Sequence, residues 1–406
     1  MLEAFYILIV LQVLLGVYAL WEGVRWLRMV RRRLARHPGF YAPRVALLCP
    51  CKGVEPGLEQ NLKALVEFDY PNYEVFFILA SAADPVHDVL QRVVAGSKPA
   101  AHPANPSGMQ KAHMVIAGPP EDCSEKVNNL RAAVEQLSGE FEVLVFTDSD
   151  GRPERGWLKR LVAPLGDARL GAAATFRWYF PDRGGFWSAL AAAWNAPIVT
   201  VLGEHAHNFC WGGGTAIRRK VFEEVHALDF WRGSASDDYS LTHALRQARR
   251  EIHFVPECLV PTLHDADFRE LLEFTNRQII ITRVYASWLW ALGMPVHAIY
   301  CGTLLLGLGV LLAAWFAGAP GLHILLLTLT VPLLAAAKGY LRMLAVSELL
   351  PDWKEKLLEY GWAWTLLAAL VPFVYLWNSL VAAFTRRIVW RGIRYELVAP
   401  NQTRIL

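Results

Sequence analysis

Residues 142–151 read EVLVFTDSDG, an apolar run that ends in two closely spaced carboxylates. A run of this kind is typical of a buried strand in a sheet covered on both faces. Asp148 and Asp150 flank Ser149 where the strand would end, so both can turn toward one point. Ligands of open α/β sheets bind at this end of the strands. Two carboxylates there suit Mg²⁺ or Mn²⁺, held together with substrate phosphates, and a simple turn is the structural alternative.

The composition indicates a membrane-associated protein with more than one domain. The chain has 406 residues, and its hydrophobic content of 54% is high for a soluble protein. The net charge of +3 is too small to favour nucleic acid as a partner. Six cysteines at irregular spacing form neither a zinc pattern nor a secreted disulfide framework. They indicate buried thiols in a reducing compartment.

The first apolar segment, residues 2–21, is long enough to span a bilayer. Six arginines follow it within residues 25–36, whereas a signal peptide would carry its positive charges in front of the apolar stretch. The positive-inside rule then places the amino terminus outside and the chain after Arg25 at the cytoplasmic face. We therefore predict a transmembrane anchor over residues 1–24 of a protein of the cell (inner) membrane.

Residues 40–266 alternate between strand and helix patterns. Strand patterns at 44–50, 73–79, 115–117 and 142–146 are separated by helix patterns at 58–68, 87–94 and 125–137. Residues 96–107, rich in proline and alanine, are predicted to form a surface loop. This alternation indicates an α/β fold with a mostly parallel sheet covered by helices on both faces.

Six motifs in sequence order resemble those of ceramide glucosyltransferases, which belong to the inverting family-2 type of glycosyltransferases. They are KGVEP at 52–56, DYPxYEV at 69–75, DP at 84–85, KVNNL at 126–130, DSD at 148–150 and DDY at 237–239. The likeness covers nearly the whole chain, including WRGIRY at 390–395. It implies a GT-A (Rossmann-like) catalytic domain facing the cytoplasm, a UDP-sugar donor, and a ceramide-like lipid acceptor in the bilayer.

Three charged residues are assigned to the donor site by this resemblance. Asp84 matches the position that contacts the uracil or ribose of the nucleotide. Lys52 and Lys126 fall in segments that the family places near the donor. Without the resemblance, Asp84 would be a turn residue that opens a helix, and Lys126 would be a solvated surface charge.

The same comparison assigns the acidic motif and a glycine run. Asp148 matches a donor-site aspartate, and Asp150 matches the metal-binding end of the D-x-D motif, so both are expected to hold Mg²⁺ or Mn²⁺. Gly212 and Gly213 lie in WGGGTA at 211–216, which resembles the loop that approaches the donor sugar. Glycine allows close backbone contact there, and a tight turn is the alternative.

Asp238 is the catalytic base by family position. An inverting transferase needs one carboxylate to take the proton of the acceptor hydroxyl, while a metal neutralises the departing diphosphate. Asp238 and the Asp148/Asp150 pair would divide these tasks. The structural alternative is that the acidic pair belongs to a helix start, where Ser236 or Asp237 is the cap.

One segment departs from the family pattern (Q/R)-x-x-R-W. Residues 277–285 read RQIIITRVY, so aligning Arg277 with the first position puts Ile280 and Ile281 where arginine and tryptophan are expected. Arg283 is a candidate replacement, although six residues along a helix rotate its side chain by about 240°. We assign catalytic roles to Arg277 and Arg283 on an interfacial amphipathic helix at 267–290.

Apolar runs later in the chain predict membrane helices over residues 295–384. Arginines after the last run favour a cytoplasmic tail at 385–406, whereas three complete crossings would end outside. We therefore expect one run to be re-entrant or interfacial, and the third, which contains Pro372 and Asn378, is the candidate. Residues 186–202 are short for a span and are predicted to form a lipid-facing helix at the acceptor entrance.

The sequence thus predicts a multi-pass membrane glycosyltransferase that moves a sugar, with glucose expected, from a UDP donor to a lipid hydroxyl such as that of ceramide. The alternative is a transferase of the same fold that acts on a polyprenyl phosphate or a hopanoid-type lipid. A processive polysaccharide synthase would need more spans and an intact Q-x-x-R-W. A transporter or non-catalytic scaffold is a different class, but a transporter would place ionisable residues inside its spans.

Overall fold

The computed structural model describes residues 1–36, 39–97 and 112–406, so most of the loop predicted at 96–107 lies outside the described residues. The chain divides into two units. The sheet unit comprises Arg33–Trp178, Val201–Leu263 and Arg386–Leu406. The helical unit comprises Met1–Arg32, Tyr179–Thr200 and His264–Thr385.

Strands occur mainly in the sheet unit. Along the chain they are β1 (Val45–Pro50), β2 (Tyr73–Leu79), β3 (Ala112–Ile116), β4 (Val143–Phe146), β5 (Leu170–Ala174), β6 (Arg177–Phe180), β7 (Thr215–Arg218), β8 (Glu251–Phe254), β9 (Val260–Leu263), β10 (Arg387–Trp390), β11 (Ile393–Ala399) and β12 (Gln402–Ile405). Within the described residues, seven of them form one sheet in the order β3-β2-β1-β4-β7-β5-β8. Only β7 runs antiparallel to its neighbours, β4 and β5.

Helices occur in both units. Along the chain they are α1 (Leu2–Leu34), α2 (Leu58–Val66), α3 (Val86–Gly96), α4 (Glu125–Gln136), α5 (Trp157–Val162), α6 (Phe186–Val199), α7 (Arg219–Glu224), α8 (Ala227–Trp231), α9 (Asp237–Gln247), α10 (Phe268–Tyr285), α11 (Ser287–Phe316), α12 (Leu322–Leu349), α13 (Lys354–Glu359), α14 (Gly361–Thr365) and α15 (Val371–Phe384).

The core of the sheet unit explains the apolar strand patterns. All of β4 is buried, as are the first five residues of β1. Leu48 and Phe146 belong to a core cluster with Val127 and Leu130 of α4 and Trp231 of α8. Because the central strands are covered, their sequences are continuously apolar rather than alternating. The predicted α/β fold with a mostly parallel sheet is confirmed.

Three helices of the described residues are long and apolar enough to cross a membrane: α1, α11 and α12. Their outward sides carry exposed aliphatic side chains such as Ile7, Leu14, Leu305 and Leu333. Apolar surface of this extent is unusual on a protein that meets only water. The predicted helices apolar enough to span a membrane, near the amino terminus and in the carboxyl-terminal region, are therefore confirmed.

The helices α1 and α12 run parallel to each other. Gly16 lies against Leu334, and further along both helices Gly23 lies against Leu341. Near their carboxyl ends, Arg31 forms a bidentate ion pair with Glu348, with a shortest distance of 2.8 Å. The two helices would therefore cross a membrane in the same direction.

The third carboxyl-terminal apolar run is bent. Gly361–Ala369 and Val371–Phe384 meet at an angle of 62°, and Pro372 lies in the first turn of α15. Proline has no backbone N–H and is favoured in the first turn of a helix, so Pro372 fits a helix that starts here. A bend of this kind forms a broken span or a re-entrant loop, and the re-entrant hypothesis stays a prediction.

The structure differs from expectation in α6. Residues 186–202 were predicted to form a lipid-facing helix, but the central part of α6, from Ala189 to Ala196, is buried. It packs against Leu271 of α10, Ala363 of α14 and Val371 of α15. Its alanines allow these helices to approach closely, so an apolar run that resembles a lipid-facing segment becomes the centre of the helical unit.

Two further predicted segments take defined forms. The interfacial helix predicted at 267–290 corresponds to α10, which begins at a capping box of Asp267 and Glu270 and ends at Tyr285. The segment predicted as a tail, 385–406, is folded into a three-stranded antiparallel sheet, β10-β11-β12, and belongs to the sheet unit. The roles of both segments at the membrane stay predictions.

Candidate active site

Sheet topology brings the acidic motif and the glycine run together. Strand β4 ends at Phe146, which pairs with Thr215, the first residue of the antiparallel strand β7. The loop that leaves β4 therefore lies beside the loop that enters β7, and these loops carry Asp148–Asp150 and Gly212–Gly214. A parallel β7 would have placed the glycine run at the opposite edge of the sheet.

The two carboxylates of the acidic motif are held by two cations. Asp148 accepts hydrogen bonds from Lys126 Nζ at 2.7 Å and from Arg177 at 3.1 Å. Arg177 also donates to Asp150 Oδ2 at 3.0 Å, and its guanidinium lies 4.9 Å from the ring centroid of Trp211. The other oxygen of Asp150, Oδ1, is buried without a hydrogen-bond partner.

Gly212 and Gly213 leave room for these charged groups. A Cβ on Gly212 would lie 2.5 Å from Lys126 Nζ and would also overlap the Asp237 carboxylate. A Cβ on Gly213 would lie 2.6 Å from Asp148 Oδ2. The glycines are thus required by close approach, and the predicted glycine loop does lie against the predicted acidic site.

Lys126 connects the acidic motif with the second acidic pair. Its Nζ lies 3.3 Å from Asp237, which is itself buried. Burial would lower the pKa of Lys126, but the charges of Asp148 and Asp237 raise it above its usual value. Burial raises the pKa of Asp237 to about 6, despite the nearby lysine. Burial would also raise the pKa of Asp148, but the positive charges of Lys126 and Arg177 hold it below the usual value.

Asp238 differs from its neighbour Asp237 because it is only partly buried. Its carboxylate accepts hydrogen bonds from the Ser236 hydroxyl and, at 2.8 Å, from the Tyr239 amide. Ser236 is the N-cap of α9, so the cap role that was left open falls to Ser236 rather than to Asp237. Asp238 is therefore not the N-cap residue of α9, and its side chain is partly exposed.

A sequence model of glycosyl transferase family 21 matches residues 4–403, nearly the whole chain. The chain belongs to glycosyl transferase family 21. The predicted enzyme class, a glycosyltransferase, is thereby confirmed.

Solved structures similar to this family 21 chain are also glycosyltransferases. One is the mannosyltransferase PcManGT from Pyrobaculum calidifontis in complex with GDP-Man and Mn²⁺, with 19% identity, a TM-score of 0.44, and coverage of 90% of this chain and 98% of that chain. Another is glucosyl-3-phosphoglycerate synthase from Mycobacterium tuberculosis in complex with phosphoglyceric acid, with 16% identity, a TM-score of 0.42, and coverage of 62% and 86% respectively.

The acidic motif of this family 21 enzyme fits a divalent cation that is shared with a substrate. No group of three or more His, Cys, Asp or Glu residues suited to a metal occurs among the described residues. Mg²⁺ and Mn²⁺, however, are commonly held by one or two carboxylates plus substrate phosphates. The Oδ1 atom of Asp150, which has no hydrogen-bond partner, is a buried acceptor available for such a bond. Asp148 lies close to Asp150, because Arg177 forms ion pairs with both carboxylates.

Lys52 and Asp84 have structural partners in the same unit. Lys52 forms an ion pair of 2.6 Å with Glu125, the first residue of α4. Asp84 Oδ1 accepts hydrogen bonds from the amides of Gly53 and Val86, each at 2.9 Å. Asp84 thus joins the loop after β1 to the start of α3, as the turn alternative predicted. Their contacts with a donor stay predictions.

Arg277 and Arg283 belong to the helical unit and not to the unit that carries the acidic residues. The guanidinium of Arg277 lies 5.6 Å from the ring centroid of Phe274. Arg283 donates to the carbonyl of Ala382, and its guanidinium lies 5.3 Å from the ring centroid of Trp290. The Arg283 contacts attach α10 to α15 and α11, whereas the Arg277 contact lies within α10. The catalytic roles of both arginines stay predictions.

Sequence reasoning missed two arginines of the sheet unit. Arg177 is an isolated charge in the otherwise apolar run ATFRWYF at 174–180, and that isolation was a usable signal. Arg391 lies in the motif at 390–395, which was noted only as part of the resemblance. It forms an ion pair with Glu55 in the loop after β1. The sequence indicates Asp237 only as a neighbour of the proposed base. Its burial and its ion pair with Lys126 distinguish it from Asp238.

Proposed function

We propose that this glycosyltransferase moves a sugar, with inversion, from a UDP-sugar to the hydroxyl of a membrane lipid, with glucose and a ceramide-like acceptor as the expected pair. The observation that carries the proposal is the convergence of Asp148 and Asp237 on Lys126, with Asp150 and Asp238 at the two sides. One side offers carboxylate oxygens for a cation, and the other offers an accessible carboxylate for a proton.

Asp238 is the proposed base. It takes the proton of the acceptor hydroxyl as that oxygen attacks the anomeric carbon, and the bond between this carbon and the diphosphate oxygen breaks, with its electron pair leaving on UDP. Asp148 and Asp150 would hold a Mg²⁺ or Mn²⁺ ion, which would supply positive charge to neutralise the leaving diphosphate. Lys126 forms ion pairs with Asp148 and Asp237 and so offsets the repulsion between their negative charges.

Lys52, Asp84, Gly212 and Gly213 complete the proposed donor site. The loop that carries Lys52 follows β1, and β1 is parallel to β4, so both loops leave the same edge of the sheet. Gly212 and Gly213 lie against Lys126 and Asp148 and present bare backbone to a sugar. Arg277 and Arg283 are proposed to act near the acceptor, on a helix at the membrane interface.

The membrane proposal is a multi-pass protein of the cell (inner) membrane with its sheet unit in the cytoplasm. The arginines after residue 24 favour a cytoplasmic carboxyl end for α1. Because α12 runs parallel to α1, its carboxyl end would lie on the same side. A re-entrant bent pair then returns residues 385–406 to the cytoplasm, where they can fold with the sheet unit.

A cysteine added after Leu406 tests this arrangement. The six native cysteines are buried, so the unmodified chain is a low-background control. In intact cells the added thiol should be shielded from an impermeant thiol reagent and should become reactive after the cells are opened. Labelling of intact cells from outside would show that the bent pair crosses the membrane.

The function itself is tested with the full chain in lipid nanodiscs. Labelled UDP-glucose, other UDP-sugars and GDP-mannose are each combined with ceramide, a polyprenyl phosphate or a hydroxylated hopanoid. We expect a labelled lipid from a UDP-sugar and a lipid hydroxyl, with a β linkage because an α-linked donor is inverted. Transfer to the polyprenyl phosphate or the hopanoid instead of ceramide would favour the alternative acceptors, and an α linkage would contradict the proposed mechanism.

A further inference from the structure

The turn between β10 and β11 holds an arginine in a backbone conformation that arginine rarely adopts. Trp390 pairs with Ile393, which leaves Arg391 and Gly392 as a two-residue hairpin turn. Both residues have positive φ angles, 50° and 80°. Turns of this type favour Asn-Gly or Asp-Gly, because a longer side chain is strained in the left-handed region. An arginine in this strained conformation indicates a functional role for its side chain.

The three-stranded sheet β10-β11-β12, which contains this turn, is attached to the two segments that hold the candidate active site. The Tyr395 hydroxyl accepts a hydrogen bond of 3.2 Å from the amide of Glu125, the residue before Lys126. Thr403 donates a hydrogen bond of 2.8 Å to the carbonyl of Gly233, in the loop that leads to α9. The tip of the hairpin is therefore positioned by the same elements that position Lys126 and the second acidic pair.

The charge of Arg391 acts on the acidic motif. Arg391 forms an ion pair with Glu55 in the loop after β1, and its charge also interacts with Asp150 and Asp148. With 36% of the side chain exposed, a ligand can still reach the guanidinium. A guanidinium has five N–H donors, so one carboxylate partner leaves donors for a second anion.

We propose that Arg391 binds the diphosphate of the nucleotide-sugar donor and holds it beside Asp148 and Asp150. This inference rests on the proposed function, since it assumes that a nucleoside diphosphate group lies at the acidic motif. The other two cations at the motif, Lys126 and Arg177, already form ion pairs with its carboxylates. Arg391 instead forms its ion pair with Glu55, which lies outside the motif. A planar guanidinium can bind a phosphate through two parallel hydrogen bonds.

The ion pair with Glu55 supplies a matched pair of variants. Arg391→Gln removes the guanidinium, whereas Glu55→Gln breaks the same ion pair and leaves the guanidinium in place. If Arg391 only locks the hairpin, both variants should behave alike. If Arg391 binds the diphosphate, only Arg391→Gln should lose nucleotide affinity, and Glu55→Gln should keep it or improve it.

The experiment measures the dissociation constants of UDP, UMP and uridine by calorimetry, with the full chain in nanodiscs and Mn²⁺ present. Arg391→Gln should weaken UDP binding by about tenfold or more, because a charge-assisted hydrogen bond is lost, with a smaller loss for UMP and none for uridine. Arg391→Lys, which keeps the charge without the planar fork, should fall between. Arg394→Gln, at an exposed arginine of β11, should match the wild type.

Melting temperatures of all variants separate binding from folding, and Arg391→Lys carries the test if Arg391→Gln does not fold. Equal losses in Arg391→Gln and Glu55→Gln, or equal losses for UDP and uridine, would overturn the inference while leaving the proposed function intact. A wild-type chain that binds GDP but not UDP would overturn the proposal of a UDP-sugar donor. In that case the same variants, compared with GDP, GMP and guanosine, would still test the role of Arg391. Binding of neither nucleoside diphosphate would overturn both proposals.

Discussion

Two acidic pairs of the sheet unit, Asp148 with Asp150 and Asp237 with Asp238, share Lys126 but are otherwise held differently. In the first pair, Arg177 contacts both carboxylates, and one oxygen of Asp150 has no partner. In the second pair, one carboxylate is buried against Lys126, and the other is partly exposed and hydrogen-bonded at the start of a helix.

This difference shows how one residue type can serve two tasks. Lys126 and Arg177 hold the pKa of Asp148 below its usual value, which suits a metal ligand. Burial raises the pKa of Asp237 although Lys126 lies beside it, which suits a group that positions its neighbours. Asp238 is the partly exposed member of the second pair, and we propose that the acceptor reaches it.

The largest expected effect is that of Asp238→Asn. The amide keeps the size of the side chain and an oxygen that can accept from Ser236 and Tyr239, but it cannot take a proton. Turnover should fall by roughly 10²–10⁴-fold, as expected for loss of a positioned base, while the protein folds and binds donor normally. Labelled lipid formation and the melting temperature provide the two measurements. More than about a tenth of wild-type turnover would move the base to another residue, with Asp237 the first candidate.

Removal of the metal should act on the first pair alone. EDTA should reduce turnover to background, and Mn²⁺ or Mg²⁺ should restore it, because a departing diphosphate needs neutralisation. Asp150→Asn should raise the Mn²⁺ concentration needed for half-maximal turnover by at least about tenfold, the loss that is typical even of residues that only orient a metal ligand. Full activity in chelator would remove the metal from the mechanism.

Asp237→Asn should change the pH dependence of stability. The pKa of Asp237 rises from 3.8 to about 6 on folding, so the folded protein binds this proton more tightly than the unfolded chain. The contribution of Asp237 is therefore fully present below pH 4 and is lost as the pH rises through 6, by roughly 2–3 kcal/mol. Melting temperatures of wild type and Asp237→Asn should diverge over this range, with the wild type losing more. A wild type that gains stability relative to the variant would contradict this assignment.

The smallest expected effect belongs to Arg177→Gln. Arg177 shares the carboxylates of Asp148 and Asp150 with any metal that binds in the absence of donor, so its removal should tighten Mn²⁺ binding to the free protein. We expect a change of about threefold to tenfold, in line with a partly buried ion pair of ~1 kcal/mol. Electron paramagnetic resonance of free Mn²⁺ measures it without turnover. Weaker binding in the variant would mean that Arg177 organises the metal site instead.

Local patterns were sufficient for part of this site. The apolar runs of β1, β2 and β4 predicted the parallel sheet, and the DSD sequence after β4 predicted the acidic edge. In both cases the signal and its structural consequence lie within a few residues of each other. The glycine run at 212–214 was assigned through the family resemblance instead.

Other features depend on distant partners and could not be found in this way. Asp237 and Asp238 are the same residue type, and local sequence does not show that Asp237 is buried and paired with Lys126. Arg177 and Arg391 form their ion pairs with residues that are distant in sequence, which no local pattern encodes. The central part of α6 is apolar on all sides, which fits lipid as well as protein, and only packing against α10 and α14 decides between them.

The most direct test of the division of labour compares Asp238→Asn with Asp150→Asn in two assays, Mn²⁺-dependent UDP binding and turnover against Mn²⁺ concentration. We predict that Asp238→Asn binds UDP and Mn²⁺ like the wild type and stays inactive at every Mn²⁺ concentration. Asp150→Asn should bind both more weakly and recover turnover as Mn²⁺ is raised. Weakened UDP binding in Asp238→Asn, together with recovery of its turnover by Mn²⁺, would contradict the assignment of Asp238 as the base.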